Sequence, residues 1–140
     1  MTSENAPCTV RHLDHVCIAV KNIEETLAFY KNVFDITADP VEDISDQGVK
    51  GCLMTVGTSR IELIEPTDPN GGIARFIERK GEGLHHIALQ VENIQEKLTN
   101  LASEGVELID KEPREGLSGT IAFLHPRATR GVLIELVEKQ

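Results

Sequence analysis

The chain repeats itself, and that repeat constrains the fold more than any other feature. Leu13-Asp14-His15-Val16-Cys17-Ile18-Ala19-Val20 lies over Leu84-His85-His86-Ile87-Ala88-Leu89-Gln90-Val91 at an offset of 71 residues, matching nearly every apolar position. The match runs on, with Lys21-Asn22-Ile23-Glu24-Glu25-Thr26-Leu27 answered by Glu92-Asn93-Ile94-Gln95-Glu96-Lys97-Leu98. In both copies Asn stands three residues before Glu, the spacing of a capping box, so helices are predicted to begin at Asn22 and Asn93. Their apolar positions recur at three and four: Ile23, Leu27, Tyr30 and Phe34 in one, Ile94, Leu98, Leu101 and Ala102 in the other. Each helix thus has one stripe to bury, and Gly105 closes the second.

After each helix come short runs rich in Val, Ile, Leu and Thr separated by turn residues. They fall at roughly 37–43, 49–56 and 59–65, then at 106–110, 120–125 and 131–138. Each half therefore reads β-α-β-β-β, with one module over about 10–66 and a second over about 82–138. The join, Thr67 to Gly83, carries a short helical pattern of its own in Ile73, Phe76 and Ile77. Neither half has the means to bury both faces of its sheet alone. The expectation is one α+β domain over 10–138, its two tandem modules building a curved eight-stranded sheet.

The last strand of each module repeats as well. Arg60-Ile61-Glu62-Leu63-Ile64-Glu65 matches Leu133-Ile134-Glu135-Leu136-Val137-Glu138 at an offset of 73, which makes Glu62 and Glu135 equivalent. Side chains alternate along a strand, so Val16, Ile18 and Val20 should meet the helix while His15, Cys17 and Ala19 face the other way. The same logic puts His86, Ala88 and Gln90 on that inner face and turns His85 away from it. Each module then offers one His from its first strand and one carboxylate from its last, inside otherwise apolar strands where an unpaired charge is costly. A lone strand His is more often a hydrogen-bonded core residue, but here the same two residue types recur at equivalent places twice. His15, Glu62, His86 and Glu135 make a borderline-hard N/O set suited to one divalent ion, with room left for water or substrate. For His12, His85 and His125 ordinary packing or surface hydrogen bonding is the expectation.

Composition narrows the partners. A net charge of −9 with no basic run opposes nonspecific nucleic-acid binding. Met1 to Pro7 is polar and lacks a signal-peptide pattern, and no apolar run approaches the ~20 residues that span a bilayer. A cytoplasmic chain without a membrane partner is expected, its three cysteines reduced and without chemistry.

A duplicated module with one His and one Glu per half resembles the vicinal oxygen chelate superfamily, which includes the glyoxalases, and more closely its methylmalonyl-CoA epimerase family. The stretches that carry the resemblance are Leu13 to Val20, Asp46-Gln47-Gly48-Val49, Ile61 to Pro66, Gly81-Glu82-Gly83-Leu84-His85-His86-Ile87-Ala88, Phe123-Leu124-His125-Pro126 and Gly131 to Val137. The resemblance implies a divalent metal, cobalt in the first place and zinc, nickel or manganese otherwise, held by the four residues named. It implies an isomerase that moves the C2 proton of methylmalonyl-CoA through an enolate, with the metal as Lewis acid at the thioester oxygen. Epimerisation needs a base on each face of C2. Glu135 matches one proposed base. The position at which well-known members carry the other is Gly51 here, so Glu62 is expected to serve, with a water on the metal as the alternative. Gln47, Arg127 and Arg130 are the expected substrate contacts, the arginines for the coenzyme A phosphates with Lys111 and Arg114 as helpers, and a homodimer is expected. Two other functions fit the same residues: a glyoxalase I-type lyase, and a non-catalytic ligand-binding member of the superfamily.

Overall fold

The computed structural model describes residues 8–139; Met1 to Pro7, read above for a signal pattern, lies outside them. The chain is α+β, and the β-α-β-β-β order appears twice. The first run is β1 (His12–Ala19), α1 (Ile23–Phe34), β2 (Glu42–Ile44), β3 (Val49–Val56) and β4 (Ser59–Pro66). After α2 (Gly72–Lys80) come β5 (Gly83–Gln90), α3 (Ile94–Ser103), β6 (Arg114–Gly116), β7 (Gly119–Leu124) and β8 (Ile134–Glu138). Two compact units result: His15–His85, and His86 onward together with the residues up to Asp14. The N-terminal stretch is tied to the second unit by Arg11 N–H donating to the Gln90 carbonyl at 2.8 Å, by Arg11 to Glu92 at 3.0 Å, and by Lys139 to Asp14 at 2.9 Å.

The two units have the same topology. Strand order is β2-β3-β4-β1 in one and β5-β8-β7-β6 in the other, with β1 parallel to β4, β5 parallel to β8, and the other pairs antiparallel. In the first, alternate strand positions bury against α1 as the alternation predicts: Val20, Cys52, Met54 and Leu63 meet Ile23, with Ile18, Leu27 and Tyr30 packed around them. In the second, Val91, Ala122, Leu124 and Leu136 meet Ile94 and Leu98 of α3. Leu63 and Leu136 are equivalent and both buried, so truncating either to Ala should cost about 2–5 kcal/mol.

Both helices are capped, though not as the repeated Asn-x-x-Glu suggests. Asn22 behaves as predicted, its Oδ1 accepting from Glu25 N–H at 2.9 Å. Asn93 does not: it sits in the left-handed region at φ 53 with no capping bond from its side chain. A carboxylate from the end of the last strand does the work in both units, Glu65 accepting from Ile23 N–H at 2.8 Å and Glu138 from Ile94 N–H at 2.7 Å. An anion at a helix N-terminus is favoured by the orphan N–H groups and the helix dipole together.

Two predicted strands shrink. The run 37–43 keeps one bridge, Ala38 to Met54, before β2 begins at Glu42, because Pro40 has no N–H for the ladder. The run 106–110 keeps one bridge, Leu108 to Leu124, and there Ile109 and Asp110 N–H both donate to the Phe123 carbonyl. Two residues facing one is a bulge, and pairing resumes only at Arg114. The last strand begins at Ile134 rather than 131, since Arg130 and Gly131 both have positive φ.

Candidate active site

Register decides which side chains share a face. In the first unit Cys17 pairs with Glu62 and Glu62 with Leu53, while Ala19, Ile64, Gly51 and Glu42 form the next row across β1, β4, β3 and β2. Directly opposed residues point to the same side, so His15, Glu62, Gly51 and Glu42 all belong to the face away from α1. In the second unit Ala88 pairs with Glu135 and Glu135 with Phe123, and the next row is Gln90, Val137, Ile121 and Arg114. His86, Glu135, Phe123 and Arg114 therefore share the face away from α3.

Each unit brings its predicted pair together. His15 Nε2 lies 3.7 Å from Glu62 Oε1, and His86 Nε2 lies 3.7 Å from Glu135 Oε2. All four residues are buried, with His15 fully so and Glu62 the most exposed at 7%. A separation of 3.7 Å exceeds the ~2.7–3.2 Å of an N–H to O hydrogen bond. It is close to the roughly 3.0–3.6 Å that separates two ligand atoms each about 2.1 Å from one ion. Two buried carboxylates need positive charge near them, and imidazole beside carboxylate is a donor set that a divalent ion fits.

The surroundings differ between the units. In the first, Cys17, Ala19 and Ile64 are covered by Ile73, Phe76 and Ile77 of α2, the short helix that the sequence pattern at these three positions anticipates. His85 packs edge-on to Phe76 with ring centroids 4.9 Å apart, in keeping with its expected packing role. Burial pushes its imidazole down to about 4, with Lys80 adding to the effect, so it is neutral at neutral pH. In the second unit Phe123 stands edge-on to His86 at 5.1 Å and holds the ring from one side. None of the three cysteines is in a disulfide, and Cys52 is pushed up to about 11, by burial first and then by the charges of Glu62 and Asp39.

The predicted substrate contacts fare unevenly. Gln47 is exposed in the 3₁₀ turn Ser45–Gln47. Arg127 is engaged elsewhere, its Nε and Nη2 donating to the two oxygens of Glu107 at 3.1 and 2.7 Å, which draws the Glu107 carboxyl below its ordinary range. Arg130 is exposed at φ 64 just past the 3₁₀ turn Pro126–Ala128. His125 accepts from Arg127 N–H through Nδ1 at 3.0 Å, the local hydrogen bonding expected of it. Gly116 and Gly119 bracket the β6–β7 hairpin, and a Cβ on Gly119 would lie 2.5 Å from the Glu138 carbonyl, so close approach of two strands requires this glycine. Sequence reasoning named Arg114 only as a helper; its place opposite Ile121 is a matter of register, which local pattern does not reveal.

Residues 14–123 match the Glyoxalase/Bleomycin resistance protein/Dioxygenase superfamily, and the chain belongs to it. Among its relatives the isomerase class expected from the sequence is borne out. A Dictyostelium discoideum mitochondrial methylmalonyl-CoA epimerase is 37% identical over 91% of this chain and 78% of its own length. A solved methylmalonyl-CoA epimerase in complex with methylmalonyl-CoA and NH4+ is 30% identical, with a TM-score of 0.88 over 94% of this chain and 96% of that one. The Bacillus subtilis protein YqjC, itself uncharacterized, is 41% identical over 92% of this chain and 93% of its own length. No helix among the described residues is long and apolar enough to cross a membrane.

Proposed function

We propose that this chain is a metal-dependent epimerase that interconverts the two C2 epimers of methylmalonyl-CoA, as a homodimer in the cytoplasm. The observation that carries the reading is the matched pair of buried His–Glu contacts, each at 3.7 Å, one in each unit. The reading joins them: His15, Glu62, His86 and Glu135 hold one divalent ion, cobalt first among zinc, nickel and manganese, within a single domain over 10–138. When bound, the ion supplies Lewis-acid stabilisation of the negative charge that develops on the thioester oxygen.

The remaining chemistry falls to the chain's own groups. Glu135 removes or returns the C2 proton on one face of the substrate and Glu62 on the other, since epimerisation requires opposite faces and the glycine at 51 offers no base. Burial serves this by limiting the water that would otherwise hydrate each carboxylate. Methylmalonyl-CoA in deuterium oxide with metal-loaded protein tests the reading. Deuterium should enter C2 as the epimers interconvert, while the hemithioacetal of methylglyoxal and glutathione is left unchanged. Absence of C2 exchange would overturn it.

A further inference from the structure

The substrate proposed above is an anion, yet the chain carries a net charge of −9 and the candidate centre itself holds two buried carboxylates. Binding needs a cation on the right face. Arg127 is held by both oxygens of Glu107, and neither it nor Arg130 lies in a strand of the sheet.

Arg114 does. It stands opposite Ile121 in the β6–β7 pair, and Ile121 packs with Ala88, Val137 and Phe123 on the face that carries His86 and Glu135. Its guanidinium carbon lies 5.6 Å from the centre of the Phe123 ring, the same ring that stands edge-on to His86 at 5.1 Å. Asp110 locks this arrangement, accepting from Arg114 Nε at 3.2 Å through one oxygen and from Phe123 N–H at 2.8 Å through the other. With Nε occupied and the guanidinium carbon over the ring, the Nη nitrogens make no hydrogen bond or ion pair among the described residues, and 43% of the side chain is exposed. The equivalent place in the other unit, opposite Gly51, carries Glu42, so this cation is a feature of one half only.

The geometry points to Arg114 as the residue that recognises an anionic group of the acyl-CoA substrate, its free Nη edge pairing with the carboxylate that distinguishes a malonyl from a simple acyl group. A planar, pre-oriented guanidinium suits a carboxylate better than a flexible ammonium does. This inference rests on the epimerase reading and makes Arg114 a specificity residue for it.

Malonyl-CoA and propionyl-CoA, which differ by that carboxylate and share the same phosphates, are the probes for calorimetric titration of the metal-loaded full chain. Wild type should prefer malonyl-CoA by about 10-fold or more, Arg114→Gln should lose most of that preference, and Arg114→Lys should retain part of it, since a charged hydrogen bond contributes on this scale. Metal content and melting temperature should not change, and in turnover KM should rise with little change in kcat. Equal weakening of both ligands in Arg114→Gln would assign the same guanidinium to the coenzyme A phosphates. Unchanged affinity for both would overturn the inference. Wild type that binds neither thioester would instead overturn the epimerase reading beneath it.

Discussion

The two units share a topology and a His–Glu pair but dress the pair differently. In the first, α2 lays Ile73, Phe76 and Ile77 over Cys17, Ala19 and Ile64, and the outermost strand presents Glu42 opposite a glycine. In the second no helix takes the place of α2 among the described residues; Phe123 flanks His86, and the outermost strand presents Arg114 opposite Ile121. The helix caps differ too, with Asn22 and Glu65 acting together in one unit and Glu138 acting without Asn93 in the other. What the duplication keeps is the inward His and Glu. What it lets drift is everything that sets charge and access around them, as expected if the halves share a metal but contribute unequally to holding a substrate.

The sharpest way to break the comparison is to remove its common part. His86→Ala should lower metal content and activity together, with residual turnover well below a hundredth of wild type, because loss of a direct ligand exceeds the 10–100-fold that supporting residues cost. Normal metal content by elemental analysis would show that the pair is structural. Next in size is the asymmetry between the carboxylates. Glu62→Gln keeps a coordinating oxygen but removes basicity, so metal binding should hold while epimerisation slows at least ~100-fold, with C2 exchange persisting for one epimer through Glu135. An unchanged rate in this variant would transfer the second base away from Glu62.

The caps give a smaller, purely structural contrast. Glu138→Ala should cost about 1–2 kcal/mol in chemical denaturation, whereas Glu65→Ala should cost less than ~1 because Asn22 still serves its helix. Equal losses would mean that Asn22 adds nothing. The smallest effect concerns Arg127. Since this guanidinium holds the Glu107 carboxyl below its ordinary 4.5, the pair's contribution to stability is present above that value and fades as pH falls through the lower folded one. Arg127→Gln should return Glu107 toward 4.5 in an NMR titration, with little change in stability because both groups are exposed.

Much of this was legible in the sequence because it is written in local periods. The duplicated β-α-β-β-β order, the helix stripes as far as Tyr30 and Leu101, and the faces taken by His15, Glu62, His86 and Glu135 follow from alternation and from matching one half to the other, whereas Phe34 and Ala102 at the helix ends, read as part of those stripes, are exposed. Two of the failures share a cause. Glu138 caps Ile94 across 44 residues and Arg127 pairs with Glu107 across 20, contacts for which neighbouring sequence carries no sign. Asn93 misled because Asn tolerates the left-handed region as readily as it caps, so the repeated Asn-x-x-Glu spacing covers two backbone conformations. The shortened strands near Pro40 and Asp110 followed from a missing donor and a bulge, the second visible only once the partner strand is known.

The central claim is that two half-sites make one metal centre, and metal stoichiometry tests it most directly. Protein stripped with a chelator, reloaded with cobalt or zinc and freed of excess should carry one ion per chain, and His15→Ala and His86→Ala should each bring that value close to zero. Two ions per wild-type chain, or variants that each keep the ion of the untouched half, would contradict it.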